Sequence, residues 1–338
     1  MMIQDPTTAG PHDPVTPAPA RRAASVRRTS TIDTHRPEGL MGAPIIEARA
    51  RDLWTAADGT ATVVDVAHIA ARLDGPQHHL ETITSDPAVA GLDALIGAVV
   101  GPGFRAKVDR AVPDLRGTGS LLYLLLDDMP GATLVSGYSM LHAGVVGKVV
   151  VHDEYLDARG DLCAGWAVDA SMMTTIKTQG VNPTPIGPEA LPLTAGDDDL
   201  AFHPIEPLAP FGMRRLRRLD VMAPEAPGAA HPVDVFFRDT HVDADGRETI
   251  VHEYSVALTV DGPTRTVVDI DAHADVLPWV ECPGAIGSAK RLVGHTLADL
   301  RPWVRETFVG TTTCTHLNDV LRGLADLDHL VDVVDVVG

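Results

Sequence analysis

The sequence predicts an α+β protein built from two related units, each of three antiparallel strands followed by helices. Three observations carry that prediction. Landmarks recur at a constant spacing: Asp52, Asp58-Gly59 and Leu73-Asp74-Gly75-Pro76 return as Asp239, Asp245-Gly246 and Val260-Asp261-Gly262-Pro263, each 187 positions later. Within both stretches, apolar segments separated by turn signals precede segments of helical periodicity. Gly117-Thr118, ahead of an apolar run, returns as Gly310-Thr311 at a spacing of 193, so the second copy has gained residues around 277–284.

In the first copy, strands are expected over 45–53 and 60–73, with Ala57-Asp58-Gly59 as the turn between them. Asp74-Gly75-Pro76 then leads into a third short strand ending at Thr84. Helices are expected near 88–97, 104–112 and 119–129, with Pro130-Gly131 as the stop of the last one. The second copy repeats the order, with strands near 233–241, 248–260 and 264–273 and helices near 283–293, 297–308 and 315–326. Tyr254, Val256, Leu258 and Val260 alternate with Ser255, Ala257 and Thr259, the period of a strand with one buried face. Helices covering one face of the strands complete an α+β layer.

Four segments follow. Residues 1–40, rich in Pro, Thr, Ala and Arg, are expected to be a disordered tail. Residues 41–134 are a degenerate first repeat, and 232–330 a second repeat with a Cys/His site. Residues 135–231 form a Pro-rich connector or cover. It includes an apolar stretch at 145–151, and its Trp166, Met172, Met173, Phe202 and Phe211 favour a packed cover over a free linker.

Composition excludes several roles. The net charge of −19 is carried beyond residue 40, because residues 1–40 hold five Arg against four Asp or Glu. Such a surface repels phosphate backbones, so no nucleic-acid partner is expected; the four arginines of Met213–Leu219 read as a solvated or ion-paired face. No apolar run approaches the length that spans a bilayer, and residues 1–40 lack the apolar core of a secretory signal, so no membrane association is expected. Three scattered cysteines make no disulfide framework, which points to a reducing cytoplasm. A homo-oligomer is compatible with all of this.

Chemistry concentrates in the second copy, where Cys314 and His316 stand at the positions of Leu121 and Tyr123. His252 opens a strand. Cys282 precedes Pro283, a favourable first helical residue, and Cys314 precedes the helix beginning at Thr315. The positive end of a helix favours thiolate, the form that binds soft metals and attacks electrophiles. His252, Cys282, Cys314 and His316 therefore make a candidate ligand set for Zn or Fe. Cys282, Cys314, His316 and Asp239 are the candidate catalytic residues. Asp239 and His241 lie on the strand beside His252, where a carboxylate and an imidazole can act as general base or orient a ligand. Cys163 and His203 of the connector are further candidates for the site. A Cys282–Cys314 redox disulfide and merely buried cysteines are the alternatives. Ser255 and Ser288 lack a nucleophile-elbow context, and no phosphate-binding glycine fingerprint is present.

Cys282-Pro283-Gly284-Ala285-Ile286-Gly287-Ser288, Val293-Gly294-His295-Thr296 and Cys314-Thr315-His316-Leu317-Asn318-Asp319 resemble the signature of a large bacterial family described as a domain of unknown function. Cys163-Ala164-Gly165-Trp166 and Met213-Arg214-Arg215-Leu216-Arg217-Arg218-Leu219-Asp220 look like that family's tandem members. More distantly, the element order is similar to U-type iron–sulfur cluster assembly scaffolds. In that likeness His252 falls at a ligand Asp, and Cys282 and Cys314 match two cysteines. The chain departs from it by lacking a Cys near His252 and by placing His after the late Cys.

The resulting expectation is a metal-dependent (Zn or Fe) enzyme acting on a small, largely apolar metabolite by hydrolysis, lyase or isomerase chemistry. A non-catalytic metal or iron–sulfur carrier, and a metal-free binding or cyclising protein, are the alternatives.

Overall fold

A computed structural model describes residues 1–75, 77–146, 157–226 and 228–337. Pro76 and most of the 145–151 stretch lie outside the described residues. The strands are β1 (Ser25–His35), β2 (Ile45–Thr55), β3 (Ala61–Leu73), β4 (Leu80–Asp86), β5 (Met213–Met222), β6 (His231–Val242), β7 (Glu248–Asp261) and β8 (Thr266–Val276). They form one antiparallel sheet in the order β4-β3-β2-β1-β5-β6-β7-β8. The α-helices are α1 (Phe104–Ala111), α2 (Leu121–Ser136), α3 (Tyr138–His142), α4 (Ser171–Gln179), α5 (Leu297–Thr307), α6 (Thr315–Gly323) and α7 (Leu327–Val337), and a 3-10 segment spans Cys282–Leu292. No helix among the described residues is long and apolar enough to cross a membrane.

Each half of the sheet contains four strands where three were expected. The additional ones, β1 and β5, pair with each other at the centre, from Ser25 opposite Met222 to Thr34 opposite Met213. β1 comes from the expected disordered tail and β5 from the connector. Both escape a hydrophobic-periodicity reading because their buried positions are largely polar or charged. Arg27 and Arg28 of β1, and Arg214, Arg215, Arg217 and Arg218 of β5, are all buried, not solvated. A central strand covered on both faces can hold arginines only if each meets a carboxylate.

The two faces solve this differently. On the far face, the N-terminal arm and residues 183–212 lie over β1 and β5. There Arg27 pairs with Asp220 and Arg214 with Asp33, and His203 sits between Thr29 and Thr31 at 2.9 and 3.0 Å. On the other face, α2, α6 and α7 cover a network of arginines and aspartates. Arg28 grips Asp52 and Arg217 grips Asp128. Arg301 and Arg322 converge on Asp127, each at 2.7 Å. Arg105 and Arg322 also reach Asp319, at 3.1 and 2.9 Å.

Apolar alternation places the outer strands correctly: along β7, Tyr254, Val256, Leu258 and Val260 are buried on the helix side. Pro130-Gly131 does not stop α2, which continues to Ser136. This helix is buried at every position but Leu134, and packing overrides the local breaker. Gly131 has a different purpose: a Cβ there would lie 2.2 Å from Arg215 Nη1 and 2.3 Å from Asp319 Oδ2. The segment expected as a helix near 88–97 is only a 3-10 turn, Leu92–Leu95.

The connector also closes the outer edge of β7. Ile250 N donates to Pro188 O at 2.9 Å and Ala190 N to Glu248 O at 3.0 Å. The close approach depends on Gly187, because a Cβ there would lie 1.7 Å from Ile250 O. Gly187→Ala is expected to lift this segment, at a cost of about 1–3 kcal/mol. Hydrogen exchange checks it, with faster exchange at Ile250 and no change along β2.

Candidate functional site

In β6 and β7, Asp239 stands directly opposite His252. The register slips by one residue just after them, between Asp239 and Thr240, and the bulge re-aims the strand at this point. α6 begins over the same spot, with Cys314 at its N-cap position and His316 in its first turn. His316 thereby stacks on His252, with ring centroids 3.6 Å apart and planes inclined by 26°.

Asp239 holds the group together. It accepts from His252 Nδ1 at 3.2 Å and lies 3.7 Å from His316 Nδ1. Arg215 of β5 donates to both of its carboxylate oxygens, at 2.8 and 3.1 Å, and to Asp319 at 2.7 Å. The same guanidinium comes within 3.4 Å of His316 Nδ1. Burial alone would protonate Asp239, but Arg215 and the His252 hydrogen bond outweigh it and hold the carboxylate well below its ordinary range. Burial, aided by the His252 and Arg215 neighbours, pushes His316 down to about 3, so its ring is neutral at pH 7.

Among the described residues, one His/Cys/Asp/Glu group brings three ligand atoms within 4.8 Å of one another: Asp239, His252 and His316. Neither Cys282 nor Cys314 belongs to it, so the four-residue set of His252, Cys282, Cys314 and His316 does not close around one point. The sulfurs form a neighbouring layer. Cys314 Sγ lies 3.1 Å from the hydroxyl of Tyr254, two residues beyond His252 on β7. Cys282 packs against Trp279 and Gly165, where a Cβ would approach its sulfur to 2.7 Å. Cys163 is buried close to both and stays outside the His/Asp group.

The thiols also titrate opposite to the expectation. Burial raises Cys314 to about 11 in spite of the His316 and Leu317 amides and the Tyr254 hydroxyl. It raises Cys282 well above its ordinary value, and it raises Cys163 as well. A helix terminus contributes about 0.3–1 kcal/mol, less than the several kcal/mol of desolvating a thiolate.

The remaining candidates lie elsewhere. His241 does not pair with Asp239; its ring packs against Tyr138 and His142, with the His142 centroid at 4.6 Å. His203 is a buried strut between two threonines. Arg215 and Asp319 were not expected in the site, although a signal was present. Arg28 and Asp52 are 24 residues apart and paired, as are Arg215 and Asp239, so the 187-residue spacing points to the arginine as well as to the aspartate.

One carboxylate and two imidazoles suit a catalytic Zn or Fe(II) in donor type and number. Two placements work against immediate coordination. Lone pairs in rings inclined by only 26° run side by side, and Arg215 already occupies both oxygens of Asp239. A cation would require one ring to turn edge-on. A cavity of about 380 Å³, lined by Arg22, Asp220, Asp234 and Asp271, opens on the sheet face away from this group.

Residues 213–329 match a family model described as "Protein of unknown function (DUF2889)". The matched region runs from the start of β5 into α7 and contains Arg215, Asp239, His252, Cys282, Cys314 and His316. No curated protein and no solved structure matches the chain.

Proposed function

We propose that this chain is a metal-dependent enzyme whose Zn or Fe(II) is held by Asp239, His252 and His316, acting on a small, largely apolar metabolite. The gathering of these three donors within 4.8 Å of one another carries the reading. A bound metal would supply Lewis acidity toward a carbonyl or a water. The chain's own residues have separate tasks. Arg215 keeps Asp239 ionised, Asp239 orients His252 through Nδ1, and His316 offers a neutral nitrogen. The apolar surroundings, Tyr254 and Phe237 among them, favour a substrate with little charge. Hydrolysis, lyase and isomerase chemistry all begin from such a site.

The same reading includes a duplication in which only the second copy has the site. The recurring Arg–Asp pairs support it, as do bulges at matching places after Asp52 and after Asp239. The counterpart of His252 is then Asp65, and that of His316 is Tyr123. Three free cysteines fit a reducing compartment.

A second reading rests on the Arg215 clamp and the stacked rings: a metal-free general base, with Asp239 fixing the tautomer of His252. Titration with Zn(II) and, anaerobically, Fe(II) separates the two. About one equivalent per chain is expected. His252→Ala and His316→Ala should each weaken binding by at least the roughly 10–100-fold that loss of an outer partner costs. Cys282→Ala should bind as tightly as the parent. Stoichiometric binding that survives both histidine changes would refute the assignment, and failure to bind either ion would leave the general-base reading. Visible absorption of the purified protein would indicate an iron–sulfur carrier instead.

A further inference from the structure

We infer that the open edge of β3 is a self-pairing surface, which joins two copies of this chain through antiparallel strand addition around Thr62. The inference rests on comparing the starts of β3 and β7. β7 begins with a closed outer edge, where Glu248 and Ile250 bond to the connector backbone. The positions 187 earlier are Ala61 and Val63. Both strands carry their bulge at the same place, so the outward-pointing amides keep the same phase. On the β4 side, β3 is paired only from His68 to Leu73. Ala61 and Val63 therefore have no backbone partner on that side among the described residues.

Exposure follows the same contrast. Ile250, Val251 and Glu253 are 0%, 7% and 0% exposed, whereas their counterparts Val63, Val64 and Val66 are 52%, 41% and 56% exposed. A bare edge with exposed valines is what native sheets ordinarily cover, shorten or charge. The connector, with Val15 of the N-terminal arm on Glu253, provides that cover for the second half only.

The occupant follows from the edge itself. Two copies aligned antiparallel about Thr62 exchange bonds between Val63 N–H and Ala61 C=O in both directions. Thr62 then faces Thr62 of the other copy across a non-hydrogen-bonded pair, a favourable threonine pairing. Asp58 falls opposite Val66, and Asp65 opposite Gly59, so no carboxylates meet in this register despite the net charge of −19. The run is bounded, because the Val66 amide is already taken by its neighbour Asp65 at 2.9 Å. So short an edge gives a weak dimer, with a Kd on the order of 10–100 µM.

Sedimentation velocity of the full chain across that range, with two variants, tests the inference. The parent is expected to dimerise reversibly. Val63→Pro, which removes the outward donor, should weaken the dimer about tenfold or more. Thr62→Cys should give a disulfide-linked dimer under mild oxidant, because non-hydrogen-bonded pairs bring Cα atoms to about 4.5 Å. A parent that stays monomeric, with Thr62→Cys uncrosslinked, overturns the inference and leaves the edge to a different chain. A dimer indifferent to Val63→Pro also overturns it, by placing the interface elsewhere.

Discussion

Asp127→Ala is expected to lower the unfolding free energy by about 3–5 kcal/mol, the largest effect of any single substitution considered for this chain. Asp127 lies at the end of two short charge-assisted bonds, from Arg301 Nη1 and Arg322 Nε, and Arg105 approaches it at 3.6 Å. Burial opposes its ionisation, yet Arg322, Arg301 and Arg105 together hold the carboxyl well below the ordinary range. Removing it leaves buried guanidinium groups short of an anion, and that uncompensated charge is the source of the cost. Asp127→Asn should be milder, because the amide oxygen still accepts one of the bonds. Asp269→Ala is the control, since Asp269 meets Lys290 only at the exposed surface, where solvent screens the pair. Urea titrations at two ionic strengths provide the measurement. A loss below about 1 kcal/mol for Asp127→Ala would mean that the network does not hold the halves together.

The second large effect is loss of stability on mild acidification, centred on His203. Its ring lies between Thr29 and Thr31, and burial, aided by Arg51 and Arg214, pushes it down to about 3 from an ordinary 6.5. The folded state therefore resists a proton that the unfolded chain accepts near pH 6.5. Stability from this group is complete above that value and falls as pH drops toward 3. At about 1.4 kcal/mol per pH unit, some 2 kcal/mol is lost between pH 7 and pH 5. Urea midpoints at those pH values, compared with His203→Gln, read the effect directly. Glutamine can bond to the threonines without titrating, so its pH dependence should be shallower by that amount. Parallel curves for the two proteins would assign the acid sensitivity to other groups.

What the sequence discloses here depends on what each strand buries. β7 buries aliphatic and aromatic side chains at alternate positions, and its limits are legible to within a residue. β1 and β5 bury arginine, aspartate and threonine, which single-sequence patterns treat as surface, so the centre of the sheet is the least legible part of the fold. Pro130-Gly131 misleads for a related reason: that glycine makes room for a distant ion pair. Near the site, Asp239 repeats a landmark of the first half, His316 stands at the position of Tyr123, and His252 is legible as the opening of a strand. Cys314 stands at the position of Leu121 and Cys282 lies in the added segment, yet their sulfurs lie against the Tyr254 hydroxyl and beside Gly165. The direction a side chain takes leaves no trace in residue spacing. Arg215 lies 187 positions after Arg28, the spacing that also separates Asp239 from Asp52, and its basic neighbours obscure it.

The central seam between β1 and β5 has a consequence during synthesis. β1 ends at His35, and its partner β5 begins at Met213. At about 5–20 residues per second, roughly nine to thirty-six seconds separate the emergence of the two strands from the ribosome. For that interval the early half presents a raw strand margin to every neighbouring nascent chain. Arg27 and Asp33 lie along it, and ionised groups at an unfinished margin discourage promiscuous partners. The charges that hide these strands from pattern recognition thus keep the seam free until the matching strand arrives.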